Sequence, residues 1–366
     1  MKSGECITTS GLGAEVSNRD WSDWMWQFKH RIQTIPQLAR MLGKSTESLG
    51  EYMNVTNRYP LCVTPYYVSL MNLANESDPL RLQCFPDIRE ICFSLGGVAD
   101  PLEEERYMPV PGLIHRYADR CVAIVTNACM AHCRHCNRKR MWLHGKSVKD
   151  RKYLQNMIDY IDKTACLREV IVSGGDPLTM DDGILEWFLR SLRSIPHVEV
   201  LRIGSRAPVL MPMRVTRDLC SMLRRYRPLW FNTQFNHPNE ITEESARACE
   251  MLLDAGIPVS NQSVLLRKVN DSYETMRELL YGLQRISVRP YYLFQCDAVE
   301  GTDHFRTEIR PGQKMMEKLW ESMPGLCLPQ YVIDAPREGG KVPLFPFSPM
   351  SSIALSAYPQ ITSPLS

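Results

Sequence analysis

The hydrophobic pattern changes character near residue 121. Before it, residues 19–50 set Trp21, Trp24 and Trp26 ahead of apolar positions repeated at helical spacing through 32–42, the mark of an amphipathic helical stretch. Pro60, Pro65, Pro79, Pro86, Pro101, Pro109 and Pro111 then cut the chain into short elements, with helices expected over 65–73 and 87–95. From 121 onward, short apolar runs occupy 121–126, 169–176, 199–205, 230–236, 258–266 and 289–297, and each ends in polar residues or glycine. Helical patterns fill the intervals at 147–165, 181–194, 214–226, 241–255 and 272–286. Thr242 followed by Glu243 and Glu244, and Asp271-Ser272 ahead of Tyr273, are helix-start signals. Six β/α units in series predict parallel strands joined by right-handed crossovers, and therefore an α/β fold with a partial (β/α)6 barrel. Chemistry in such folds sits at the carboxyl ends of the strands. After 300 come a helix near 312–322 and a strand-like segment at 330–334. From 343 to 366 the chain is rich in Pro and Ser without a clear period. The expected division is 1–115 as an N-terminal helical extension, 116–300 as the barrel and 301–366 as a C-terminal segment.

Composition narrows the function classes. The 366 residues carry 43 Lys+Arg against 41 Asp+Glu, a net charge of +2, which argues against a nucleic-acid reader. The N-terminus has no apolar signal core, and no stretch approaches the roughly 20 apolar residues of a membrane helix. A cytoplasmic protein with no membrane partner is the expectation. Thirteen cysteines scattered over an enzyme-sized chain do not read as a disulfide framework.

Three of those cysteines stand apart. Cys129, Cys133 and Cys136 fall within eight residues, directly after the first apolar strand. Thiolates are soft ligands for iron, and this spacing suits three irons of a cubane cluster with the fourth left open to chelate a small molecule. A structural zinc site takes four ligands in two pairs; His132 or His135 would have to complete it, and no second CxxC is present. Ser173-Gly174-Gly175-Asp176 closes the next strand, where glycines permit close backbone approach.

The CxxxCxxC loop followed by this glycine segment resembles the radical SAM superfamily. Longer motifs, at 116–120, 133–140, 201–209, 232–242, 261–271, 304–307 and 334–336, make the chain similar to the lysine 2,3-aminomutase family from about Trp21 to Pro343. The resemblance implies a 4Fe-4S cluster on Cys129, Cys133 and Cys136, and S-adenosyl-L-methionine contacted by His135, Ser173, Gly174, Gly175, Asp176 and Gln234. It implies pyridoxal 5'-phosphate held by Lys341, with Arg116, Tyr117, Arg120 and Gln262 around the cofactor. Arg138 would hold the substrate carboxylate, and Asp297 and Asp334 its distal ammonium. Read alone, Lys341 after two glycines is a solvated loop residue, Arg116 and Arg120 are surface ion pairs with Asp119, and each aspartate caps a turn.

The implied reaction moves the α-amino group of a cationic amino acid, L-lysine first, to Cβ, with arginine or another cationic amino acid as the alternative and an inactive binding homologue as the remote one. A reducing electron donor of the flavodoxin or ferredoxin type and a homo-oligomer are further expectations. Three departures from the family pattern stand out. Arg337 and Glu338 replace glycines near Lys341, Gln234 stands where histidine is commoner, and the cysteines of a C-terminal zinc site are missing, so no zinc is expected.

Overall fold

The structure, a computed structural model, describes residues 16–92, 94–144, 150–336 and 340–346. One sheet organises it: β1 (Leu113–Tyr117), β2 (Arg120–Ile124), β3 (Glu169–Ser173), β4 (Val200–Gly204), β5 (Leu229–Thr233), β6 (Val259–Leu265), β7 (Arg289–Gln295), β8 (Gln330–Ala335) and β9 (Gly340–Pro343), side by side in chain order. Neighbours from β2 through β8 pair in parallel, while β1 and β9 run antiparallel at the two edges. Between successive parallel strands lie the helices Arg151–Asp162, Asp182–Arg193, Arg217–Arg224, Glu243–Asp254, Tyr273–Arg285 and Ile309–Ser322. All six strands expected from the apolar runs are present. The segment at 330–334 adds a seventh parallel strand to the same sheet, because its alternate apolar residues Tyr331 and Ile333 are buried in the main core.

Strand alternation divides the sheet into two faces. In β3 and β4, Val170, Val172, Leu201 and Ile203 are fully buried toward the helices, each packed leucine or valine contributing roughly 1.5–3 kcal/mol. Their neighbours Ile171, Ser173, Arg202 and Gly204 point to the concave side and line a cleft. Helix starts are fixed as the sequence signals suggest. Thr242 and Ser245 form a reciprocal capping box, and the Ser272 hydroxyl accepts from Thr275 N at 3.2 Å.

The N-terminal helical stretch is broken rather than continuous. Helices Asn18–Trp21, Trp24–Lys29 and Ile35–Leu42 are separated where Asp23 and Thr34 cap new starts, and Ile32 instead bridges Val63. Helix Pro79–Cys84, which the proline pattern did not suggest, starts because Asp78 accepts from Leu80 N and Arg81 N, with Pro79 filling a first-turn position where its missing N–H costs nothing.

The two edges of the sheet approach each other through side chains. Arg116 on β1 donates to the Ala335 carbonyl and lies 3.5 Å from Asp334 on β8. A Cβ on Gly340, which has φ +59°, would stand 3.2 Å from the Tyr117 ring. This contact between β1 and the β8–β9 hairpin brings the C-terminal strands to the cleft.

Candidate functional site

The cleft occupies the concave face at the carboxyl ends of the strands, with a volume of about 350 Å³, within the range of small-molecule sites. Its walls include Cys129, Cys133, His135, Cys136, Arg138, Ser173, Gly174, Gly175, Asp176, Gln234, Gln262, Asp297, Asp334 and Lys341, so residues more than two hundred positions apart share one cavity.

The cysteine loop follows β2 and is anchored to the N-terminal extension. His132 N donates to the Cys62 carbonyl at 2.8 Å, Arg134 N to the Gln83 carbonyl at 2.7 Å, and the Arg31 guanidinium to the Cys129 carbonyl. Beneath the loop, the buried Glu90 carboxylate accepts from Arg134 at 2.6 Å and from Lys139 at 2.6 Å. Burial alone would raise its pKa, but the two cations pull Glu90 below the usual carboxylate value. Lys139 is pushed down to about 8 by burial despite Glu90.

The three thiols suit a cluster. Burial, then the charges of Cys136, Asp176 and Cys133, push Cys129 well up, and burial raises Cys136 to about 11. Cys133 goes the other way, to about 6, through a hydrogen bond with the Cys84 thiol and the adjacent Arg206 guanidinium, against burial. Thiols that raise one another's pKa are those that gain most from binding cationic irons as thiolates. Among the described residues no three His, Cys, Asp or Glu side chains converge on a single ion. In a cubane each thiolate holds a different iron, and all three cysteines line the cleft.

Arg206, to which the sequence assigned no role, is a buried group that contacts this loop. Its Nη1 donates to Cys133 Sγ at 2.9 Å, Nη2 to Gln83 at 2.7 Å and Glu240 at 2.6 Å, and Nε to the Gln234 carbonyl at 2.9 Å. A signal existed: a charged residue immediately after a strand, within the motif at 201–209. Isolated arginines normally read as solvent-facing.

His135 lies beside this set. Burial, with Arg206 and Lys139 nearby, holds its pKa well down, so the ring is neutral. Gln234 Nε2 at 3.1 Å and Asn236 Nδ2 at 3.3 Å face His135 Nε2, which leaves the proton on Nδ1. That Nδ1 is buried without a partner among the described residues, on a ring that lines the cleft. Gly174 and Gly175 have a second task besides ligand access. A Cβ on either would stand 2.3 Å from the Thr126 carbonyl oxygen or 2.2 Å from that of Ala128, so this segment packs directly on the cysteine loop. Asp176 is held by Ser205 Oγ at 2.8 Å, Leu178 N at 3.0 Å and Arg206 N at 2.9 Å, tying the β3 and β4 ends together. Burial raises its pKa to about 6.

Arg138 reaches the cleft with its charge already paired. Its Nε and Nη2 donate to Glu104 at 3.0 and 2.8 Å, while Nη1 sits 3.4 Å from Ser173 Oγ. Glu104, hidden in an acidic run that reads as solvated, thus fixes the guanidinium by one edge and leaves the other toward the cleft. Asp297 is hydrogen-bonded by Asn137, yet burial and then the charge of Asp334 raise its pKa to about 7. Both aspartates line the same cleft.

Lys341 on β9 is paired with Asp334 in register, and its Nζ lies 3.2 Å from Asp334 Oδ2. The rings of Tyr117, Tyr292 and Phe294 surround that amine at 5.6–6.0 Å. Arg116, Tyr117 and Arg120 stand behind the cleft lining, with Arg120 stacked on Tyr117 at 3.8 Å and also paired with Asp119 at 2.7 Å. Arg202, on the cleft wall, is a further guanidinium the sequence reading did not assign. The buried Tyr117 hydroxyl has no hydrogen-bond partner among the described residues. A lysine amine ringed by aromatics, an orphan hydroxyl and three guanidiniums fit a flat, phosphorylated carbonyl cofactor. Arg337 and Glu338 lie outside the described residues.

Among the described residues no helix is long and apolar enough to cross a membrane. The family model described as the radical SAM superfamily matches residues 123–280. L-lysine 2,3-aminomutase from Acetoanaerobium sticklandii is 46% identical over 333 residues, covering 91% of this chain and 80% of that protein. The same-named protein of Clostridium subterminale is 45% identical over 335 residues, covering 92% and 80%. Glutamate 2,3-aminomutase from Clostridioides difficile is 40% identical over 330 residues, covering 90% and 78%. With identity of this order running along most of both chains, and the radical SAM loop and strand order in place, this chain belongs to the lysine 2,3-aminomutase family of the radical SAM superfamily.

Proposed function

We propose that this chain is an isomerase that moves the α-amino group of L-lysine to Cβ, releasing a β-amino acid. The observation that carries the substrate choice is the pair Asp297 and Asp334, which line the same cleft as Lys341. An acidic pair in one cleft, with Asp297 raised by burial and then by the Asp334 charge, favours a cation beside it and disfavours a third carboxylate, which argues for lysine over glutamate. Lysine's compact ammonium suits two point acceptors better than arginine's planar fork does.

Cys129, Cys133 and Cys136 would hold a 4Fe-4S cluster, with S-adenosyl-L-methionine against His135, Ser173, Gly174, Gly175, Asp176 and Gln234. Pyridoxal 5'-phosphate would be held by Lys341, with Arg116, Tyr117, Arg120 and Gln262 around it. When bound, these groups supply a carbon-centred radical and a conjugated ring that delocalises an unpaired electron. The chain's own residues do the placing. Arg138, clamped by Glu104, offers its free edge to the substrate carboxylate in a charge-assisted bond. Asp297 and Asp334 would hold the distal ammonium, with Lys341 Nζ, 3.2 Å from Asp334 Oδ2, the amine that would hold the cofactor. Val122, Ile171, Val264 and Phe294 give the cleft an apolar wall that limits water near a reactive radical. A low-potential one-electron donor of the flavodoxin or ferredoxin type completes the system.

The test is anaerobic incubation of the reconstituted protein with S-adenosyl-L-methionine, pyridoxal 5'-phosphate and a reductant, supplying lysine, arginine and glutamate in turn. The expected outcome is a β-amino acid isomer from lysine. An isomer from glutamate alone would overturn the substrate assignment, and an isomer from none would overturn the reading.

A further inference from the structure

The cluster loop needs iron and thiolates, but nothing in that requirement explains a guanidinium aimed at one of the three sulfurs. Arg206 is 6% exposed and donates to Cys133 Sγ at 2.9 Å, while Glu240, 0% exposed, accepts from it at 2.6 Å. Glu240 is itself fixed by Tyr67 Oη at 2.6 Å, Asn236 N at 2.5 Å and His237 N at 3.0 Å. The neighbouring acceptors Gln83 and the Gln234 carbonyl take two further Arg206 donors. The guanidinium therefore has one orientation, and one of its N–H groups is committed to the sulfur.

We propose that Arg206 is a positioning residue that sets the reduction potential of the cluster through Cys133, with Glu240 limiting how strongly its charge is felt. The inference rests on the assignment of Cys133 as a cluster ligand. The step concerned is the uptake of one electron from a low-potential donor. The cluster gains one negative charge, the donor is oxidised by one electron, and no bond to Arg206 forms or breaks. A cationic donor on a ligand sulfur stabilises the more negative, reduced state, and hydrogen bonds to cluster sulfurs are among the known determinants of potential. Glu240 opposes it, because a buried carboxylate 2.6 Å from the guanidinium cancels part of that field. Among the described contacts no guanidinium donates to Cys129 or to Cys136, whose sulfur accepts from Arg138 N at 3.4 Å, so the cationic hydrogen bond falls on Cys133.

The experiment is an anaerobic redox titration of the reconstituted protein with mediators, following the reduced cluster by electron paramagnetic resonance, in wild type, Arg206→Lys, Arg206→Gln and Glu240→Gln. Arg206→Gln is expected to lower the reduced-to-oxidised ratio at a fixed potential by about tenfold, a shift of about 59 mV downward for one electron. Arg206→Lys, which keeps the charge but not the fork, falls between wild type and Arg206→Gln. Glu240→Gln shifts the ratio the other way. A purely structural role for Arg206 would not move the two partners in opposite directions. Arg206→Lys and Arg206→Gln titrating with wild type at equal iron content would overturn the inference, as would folded variants of both kinds that cannot hold iron. If wild type itself takes up no cluster, the assignment of the cysteines fails instead.

Discussion

Replacing Asp297 by asparagine tests the substrate assignment on its most sensitive group. Burial and the Asp334 charge raise the Asp297 carboxyl to about 7, although Lys341 Nζ lies 3.2 Å from Asp334 Oδ2. A lysine ammonium beside Asp297 would give that carboxylate a cationic partner, and taking one buried charged partner away typically costs about 2–5 kcal/mol. At ~1.4 kcal/mol per factor of ten, kcat/KM for lysine should fall roughly 30-fold to several thousand-fold in Asp297→Asn. The pH dependence gives a second signature. A carboxyl with a raised pKa is neutral below that value, so in wild type kcat/KM should drop about tenfold between pH 8 and pH 6 as Asp297 takes up a proton. That acid limb should be absent from Asp297→Asn. Stability moves in the opposite sense. A folded-state pKa above the unfolded value means the folded protein binds the extra proton, so stability is lost as pH rises through about 7, and substrate-free Asp297→Asn should melt at or above the wild-type temperature at pH 8. Anaerobic steady-state kinetics at pH 6, 7 and 8, with melting curves on the same preparations, decide the matter. A variant within about threefold of wild type, or one that keeps the acid limb, would refute the idea that Asp297 faces the substrate.

Other perturbations have equally definite outcomes. Cys129→Ala, Cys133→Ala or Cys136→Ala should each abolish cleavage of S-adenosyl-L-methionine, whereas Cys121→Ala and Cys296→Ala, buried in the core away from the cleft lining, should retain it; iron content and 5'-deoxyadenosine release check both sets. Lys341→Ala should lose the borohydride-fixed pyridoxyl label while keeping the iron–sulfur absorbance, and peptide mapping that finds the label on Lys268 or Lys314 in wild type would refute the placement. Gly175→Ala should lose most of its cluster, because the new methyl carbon would stand 2.2 Å from the Ala128 carbonyl oxygen and push the cysteine loop aside; iron content equal to wild type would contradict that packing.

Much of the frame was legible because period and caps are local properties. The six β/α runs, the helix starts at Thr242 and Ser272, and the strand at 330–334 follow from residues within a few positions of one another. The splitting of the tryptophan-rich stretch at Asp23 and Thr34 was in principle local too, but capping residues inside an amphipathic pattern are outweighed by its helical period until the Ile32–Val63 bridge is seen. What was not legible depends on partners far apart. Arg206 meets Gln83 across 123 positions, Arg138 meets Glu104 across 34, and Arg116 meets Ala335 across 219. No spacing rule links such pairs, and a charged residue taken alone reads as solvated. The meeting of β1 with the β8–β9 hairpin belongs to the same class, since the curl of the whole sheet creates it rather than any one strand. The cleft shows why this matters: its cysteines were visible as a motif, but the buried charges that hold them were not.

Migration of nitrogen from Cα to Cβ of lysine can be followed on the atom itself. L-Lysine labelled with 15N at the α-amino group is incubated anaerobically with the fully reconstituted protein, and the product is analysed by NMR. The account predicts 3,6-diaminohexanoate with the label bonded to C3 and none released as ammonia. Unchanged lysine despite turnover of S-adenosyl-L-methionine, or a product that has lost the label, would contradict it.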